Sequence, residues 1–160
     1  MPTKHESPGT ALLAAWQRLA PLPGGQRLFS WYVGRMAPYS GSMGARVVAL
    51  EPGHAVIELS DRRRVRNHLA SIHAIALANL GELTTGLAMT SALPPTTRGI
   101  PIRLEIDFVK KARGLLTAES RCVVPPVTAE TEHQAEADIR DPGGDVVARV
   151  RVRWRLGPRE

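Results

Sequence analysis

Asn67-His68-Leu69-Ala70-Ser71-Ile72-His73, followed nine residues later by Glu82, is where this sequence gathers side chains able to move protons. Glu82 lies in a segment rich in Ala and Leu that runs without proline as far as Pro94. A carboxyl in such a setting must be paired, hydrogen-bonded or neutralised, and burial raises its pKa, which is one route to a general base. The bland alternative is a glutamate hydrogen-bonded to a neighbour. At about 100° per residue, nine positions amount to half a turn, so on an ideal helix His73 and Glu82 project from opposite sides. If both serve one site, the simplest solution is a symmetric dimer in which each site takes the helix start from one protomer and Glu82 from the other. That inference requires His73 to be helical.

Other chemistries lack support. The chain has no zinc-ligand spacing, no G-x-S-x-G elbow, no Walker loop and no G-x-G-x-x-G, so neither a metal nor a redox cofactor is expected. Arg62, Arg63, Arg64 and Arg66 precede the Ala/Leu segment, and Lys110, Lys111 and Arg113 follow it. All but three of the 21 Lys+Arg residues are arginine, against 15 Asp+Glu, for a net charge of +6. Arginine suits bidentate contact with phosphate or carboxylate, so these residues fit a nucleotide-bearing ligand or, taken singly, a solvated basic rim. RNP-type motifs are absent and only two Phe, two Tyr and three Trp are available for stacking, so no nucleic-acid module is expected.

The elements that must position these residues follow from patterning. With 160 residues, 43% apolar and 22% charged, the chain has enough apolar surface for one core and is too apolar to be disordered. Its one cysteine, Cys122, closes no intrachain disulfide, and Met1 to Ser7 leads into no apolar signal core, so a reducing cytoplasm is the expected compartment. Apolar spacing predicts a helix over Ala11 to Ala20 with Thr10 as N-cap, and a second from Gln26 to Met36. A hairpin follows over Ala45 to Leu50 and Ala55 to Leu59, turning at Glu51-Pro52-Gly53-His54. The main helix runs from about Ile72 to Leu93. His73, Asn79 and Glu82 inside it argue against a membrane span and for burial within a sheet.

Three or four antiparallel strands are expected after Pro94-Pro95. Ile102, Leu104, Ile106 and Phe108 alternate with Arg103, Glu105 and Asp107, predicting one buried face. Leu115 to Val124 forms the next strand. Ala135, Ala137 and Ile139 then alternate with Gln134, Glu136 and Asp138, and after Asp141-Pro142-Gly143-Gly144 the residues Val146, Ala148, Val150, Val152 and Trp154 alternate with four arginines. Pairing Arg140 with Asp145 sets Glu136 opposite Arg149, Gln134 opposite Arg151 and Glu132 opposite Arg153, so the arginine row becomes an outer sheet face. The class is α+β, one long helix with an antiparallel sheet.

Asn67-x5-His73, an acid nine residues on in a long apolar helix, and the strand Ile102 to Val109 leading into Lys110-Lys111-Ala112-Arg113-Gly114 together resemble the hotdog-fold acyl-CoA thioesterases of the PaaI type. The Arg-Asn-His-x4-His-Ala core is closest to a poorly characterised hotdog branch, and the likeness spans roughly Gly41 to Leu156. The resemblance implies a five- or six-stranded antiparallel sheet around a central helix, with residues 41–157 as the hotdog domain and 1–40 as an N-terminal helical extension. It implies a homodimer or a dimer of dimers, and an acyl-CoA ligand with no cofactor. Asn67 would orient the thioester or the attacking water, His73 opens the segment that is His-Gly-Gly in the family, and Glu82 matches the acid that acts as base or nucleophile. The Ala74 backbone N–H would polarise the thioester carbonyl, and Arg64, Arg66, Lys110, Lys111 and Arg113 would meet coenzyme A phosphates. Two departures stand out: Ala74 and Ile75 replace the glycines, and Pro101 falls near a position where some members carry a hydroxyl, leaving Thr84, Thr85, Thr90 and Ser91 as substitutes. A non-catalytic hotdog protein that binds acyl-CoA or a related ligand is the alternative.

Overall fold

A computed structural model describes residues 7–159. Helix α1 spans Pro8–Leu19. It starts three residues before the expected point because Ser7, not Thr10, is the cap: the Ser7 hydroxyl accepts from the Thr10 N–H at 3.1 Å, and Pro8 takes the first helical position where its missing N–H costs nothing. Helix α2, Gly25–Met36, turns Phe29 and Val33 inward, and Trp16 of α1 meets the Phe29 ring edge-on with centroids 5.0 Å apart. A short helix α3, Pro38–Ser42, follows.

Strands β1, Arg46–Glu51, and β2, His54–Leu59, form the expected hairpin. A single 3-10 turn, Arg63–Val65, then leads to the long helix α4, Ala74–Ala92. Strands β3 (Thr97–Phe108), β4 (Leu116–Arg121), β5 (Thr131–Arg140) and β6 (Val146–Pro158) complete the chain. The six strands form one sheet in the order β1-β2-β4-β5-β6-β3, every neighbouring pair antiparallel. Helix α4 touches all six strands, and the core forms between it and the inner sheet face, with Leu80, Ala88 and Met89 meeting Ile57, Leu116, Ile139 and Val150. Gly81 permits that closeness, since a Cβ there would sit 2.2 Å from Val150 Cγ2. This is the hotdog architecture. Helix α1 lies against α4 and α2, and α2 is tied to β1 by the Val47 N–H donating to the Ser30 hydroxyl at 2.9 Å.

Three expectations need correction. His73 is the N-cap of α4, with extended φ −67° and ψ 142°, so the half-turn geometry drawn for a helical His73 does not hold for its side chain. The β5–β6 register is two residues away from the expected one: Glu132 faces Arg155, Gln134 faces Arg153, Glu136 faces Arg151 and Asp138 faces Arg149. The loop is longer than four residues because Asp141 closes it, its Oδ1 accepting from Gly143 and Asp145 N–H groups, and an irregularity at Ile139/Arg140 absorbs the difference. An even shift keeps each side chain on its face, so the arginine row still forms the outer surface, with Arg151 reaching Asp107 at 2.8 Å. The apolar face of β3, finally, is open: Ile102, Leu104 and Phe108 are 37%, 41% and 54% exposed. The strand is the sheet's edge, hydrogen-bonded to β6 alone, and α4 covers only part of it.

Candidate active site

The loop from Arg66 to His73 is held by a dense local network. The Asn67 side-chain carbonyl accepts from the Leu69 N–H at 2.9 Å and the Ser71 N–H at 3.2 Å, while its backbone N–H donates to Ser71 O. This closed turn carries Ala70 at φ 52°, a left-handed conformation costly for a residue with a Cβ. Buried Ser71 ties the turn to the β3–β4 connection: its hydroxyl donates to Ala112 O at 2.9 Å and accepts from the Ala112 N–H at 3.1 Å, beside an Ile72 N–H to Ala112 O bond. The two segments singled out in sequence, Asn67–His73 and Lys110–Arg113, are therefore neighbours in space.

The predicted cations divide into two groups. Arg66 is paired with Asp61 at 2.6 Å, and Asp61 also accepts the Gly114 N–H at 3.0 Å. The Arg66 hydrogen bond holds the Asp61 carboxyl below its ordinary value. Arg113 donates to the carbonyls of Ala70 and Leu69, holding the strained turn. Lys110 is clamped between Asp141 and Asp145, each at 2.7 Å, which ties the end of β3 to the β5–β6 loop. Arg64 and Lys111 have no ion pair among the described residues. Asp61, which holds both loops together, carries no motif in the sequence; only its place between a strand and a run of arginines marks it.

His73 is exposed, and its Nδ1 accepts from the Ile75 N–H at 3.1 Å, so Nε2 is left to face outward. The Ala74 N–H has no acceptor among the described residues, as befits the first residue of a helix. It is the positive end of an aligned row of peptide dipoles and can stabilise a developing oxyanion.

Glu82 lies just over two turns of helix further along. It is half-buried, its carboxylate has no hydrogen-bond partner among the described residues, and desolvation pushes its pKa above the ordinary value. Beside it Gly86 leaves an opening: a Cβ there would lie 3.8 Å from Glu82 Oε1 and 3.8 Å from the six-membered ring of Trp154. Trp154 is 5% exposed and its indole N–H is buried without an acceptor. Sequence alternation places this tryptophan in the core without linking it to Glu82, because the contact runs from β6 to α4.

Eight residues at 1.5 Å each set Ala74 and Glu82 about 12 Å apart along one helix. Three of the four hydroxyls considered as substitutes are turned to the backbone: Thr84 donates to Leu80 O, Thr85 to Glu82 O, and Ser91 to Ala88 O and Glu51 O. Among the described residues there is no cluster of three metal-ligating side chains, and no helix is long and apolar enough to cross a membrane.

Comparison with known proteins agrees with this architecture. Residues 25–156 match the family model described as "Domain of unknown function (DUF4442)". The structural-genomics protein APC5556 is similar in structure with a TM-score of 0.80 and 26% identity, over 93% of this chain and 99% of that one. A Pseudomonas aeruginosa protein of unknown function, named a probable thioesterase, aligns with a TM-score of 0.72 and 23% identity over 86% and 97% of the two chains. A thioesterase family protein from Silicibacter pomeroyi gives 0.69 and 16%, over 81% and 96%. No curated protein matches the chain.

Proposed function

The chain belongs to the DUF4442 family of hotdog proteins, and from that footing we propose that it hydrolyses acyl-CoA thioesters at two sites shared between the protomers of a homodimer. The observation that carries the reading is Glu82, a desolvated carboxylate in an apolar helix with no partner to hold its charge. A raised pKa makes it a better proton acceptor than a surface glutamate, and general-base catalysis is worth about 10²–10⁴ in rate. Water attacks the thioester carbon, Glu82 takes its proton, and the Ala74 N–H of the facing protomer holds the oxyanion until the thiolate leaves. Direct attack by the Glu82 carboxylate is the covalent variant of the same site.

The two-chain arrangement is supported by distance. A single carbonyl cannot touch an N–H and a carboxylate about 12 Å apart on one helix, whereas a two-fold axis brings one copy's helix start beside the other's Glu82. The unpaired edge of β3 and its exposed Ile102, Leu104 and Phe108 supply a seam for that axis. Asn67 shapes the turn before the helix with its carbonyl, leaving its amide N–H groups to orient water or thioester, and His73 presents Nε2 at the rim. Of the cations, Lys111 and Arg64 are the ones with charge available for the phosphates of coenzyme A; Arg66, Lys110 and Arg113 hold the loops that present them. Residues 41–157 carry this chemistry, with the preceding helices as an extension.

Thiol release from short, medium, long and aromatic acyl-CoAs tests the reading. Glu82→Gln is expected to fold and to lose at least 100-fold in turnover; unchanged turnover would overturn the proposal. Ile75 favours one rival: its side chain, 55% exposed, stands at the helix start where related enzymes carry glycine. Saturable acyl-CoA binding with no turnover of any ester would establish a binding protein instead.

A further inference from the structure

A cavity of about 900 Å³ lies on the other flank of α4, between α2, α3 and the β1–β2 hairpin. Leu83 contributes to its wall and Glu82 does not, so it is a different space from the one beside Gly86. Its size is at the upper end for small-molecule sites. Val33, Val47, Leu83 and Leu115 give it an apolar lining.

Its unpaired charges are of one sign. Arg27, Arg35 and Arg62 stand around it, and its only carboxylate, Glu58, is already paired with Arg46. Arg27 and Arg35 are exposed and have no ion pair among the described residues; Arg35 rests over the Trp31 ring, 5.9 Å from its centroid. Arg62 gives one N–H to Gly44 O at 2.7 Å and keeps its remaining donors. The chain itself carries no acidic residue from Ser7 to Leu50, so no flexible carboxylate from these helices can neutralise the three arginines. A guanidinium matches a carboxylate in a two-bond fork, and an apolar lining matches a hydrocarbon chain.

We propose that this cavity is a second binding site, for an amphipathic carboxylate whose aliphatic chain lies against Val33, Val47, Leu83 and Leu115 while its head is held at the rim by the field of Arg27, Arg35 and Arg62. Because the site excludes Glu82, its occupancy does not depend on thioester hydrolysis.

The test is calorimetric titration of the full chain with decanoate, decanol and butyrate. Saturable binding of decanoate is expected, with decanol and butyrate each at least tenfold weaker, since one lacks the charge and the other the chain. The double variant Arg27→Glu/Arg35→Glu alters two exposed side chains and is expected to weaken decanoate at least tenfold. Leu115→Trp, which adds bulk to the apolar wall, is expected to weaken it to a smaller degree. Arg18→Glu, an exposed α1 charge reversal outside the cavity, is expected to leave it unchanged. The proposal is overturned if decanoate does not bind, if decanol binds equally well, or if Arg18→Glu weakens binding as much as the double variant. Repeating the titration in Glu82→Gln separates the two sites, because loss of turnover there is expected to leave decanoate affinity intact.

Discussion

At the scale of single residues, the state of Glu82 couples function to stability. Its folded pKa is raised, so the native chain holds that proton to higher pH than the unfolded chain does. The unfolded state then binds fewer protons once pH passes the ordinary glutamate value of 4.5, and stability falls as pH climbs through the raised value. Glu82→Gln removes the ionisation, so its melting temperature should exceed that of the wild type at neutral pH and converge with it below pH 4.5. Equal melting temperatures across the range would show that Glu82 is solvated rather than desolvated. The oxyanion role rests on one hydrogen, and Ala74→Pro removes it with little disturbance. Proline suits the first helical position, and His73 already has the extended backbone that a residue before proline needs. Turnover is expected to drop 100-fold or more in Ala74→Pro, with the melting temperature within a few degrees of wild type.

At the scale of elements, two glycines in α4 five residues apart should respond in opposite ways to the same methyl group. Gly81→Ala drives a Cβ into Val150 and should destabilise the fold by about 1–3 kcal/mol, although alanine is the better helix former. Gly86→Ala meets its neighbours at 3.8 Å, an ordinary contact, so helix propensity should win by about 0.5–1 kcal/mol while the methyl crowds Glu82 and slows turnover. Urea titrations of both variants check the pair. The elements themselves were legible in the sequence because apolar spacing sets which face of each is buried: the helices, the hairpin, the alternation of β5 and β6, and the outer arginine face all follow from it. Periodicity carries no count of loop residues, which is why the β5–β6 register differs by two; only Asp141's hydrogen bonds decide it. It carries no edge either, so the alternation of β3 predicts a face and not what covers it. Asn67, His73 and Glu82 could be found by type and spacing. That Lys110 and Arg113 are structural ties does not show in sequence, since their partners Asp141, Asp145 and the Ala70 carbonyl are more than 30 residues away, and Asp61, five residues before Arg66, carries no motif that marks it as a partner.

At the scale of the whole molecule, the proposed sharing of a site between two protomers makes a prediction no single chain can satisfy. Ala74→Pro and Glu82→Gln homodimers should each be inactive, yet a heterodimer of the two holds one doubly damaged site and one intact site. An equal mixture, unfolded and refolded together, should recover about a quarter of wild-type turnover, half the dimers being mixed and half their sites whole. No recovery would mean that both groups act within one protomer. Leu104→Lys on the open edge should shift sedimentation toward the monomer and lower turnover with it. The sheet order also constrains how the chain is made. Strand β3 has one partner, β6, which is the last strand in the sequence, so Phe108 is synthesised 38 residues before the first residue of β6. At about 5–20 residues per second, that is roughly two to eight seconds of translation. Throughout that interval a twelve-residue strand with both edges open and Ile100, Ile102, Leu104, Ile106 and Phe108 along it has nothing of its own chain to pair with. The nascent protein is therefore most sticky just before it is finished, and its dependence on chaperones should be decided by β3, the same strand proposed as the seam between two finished copies.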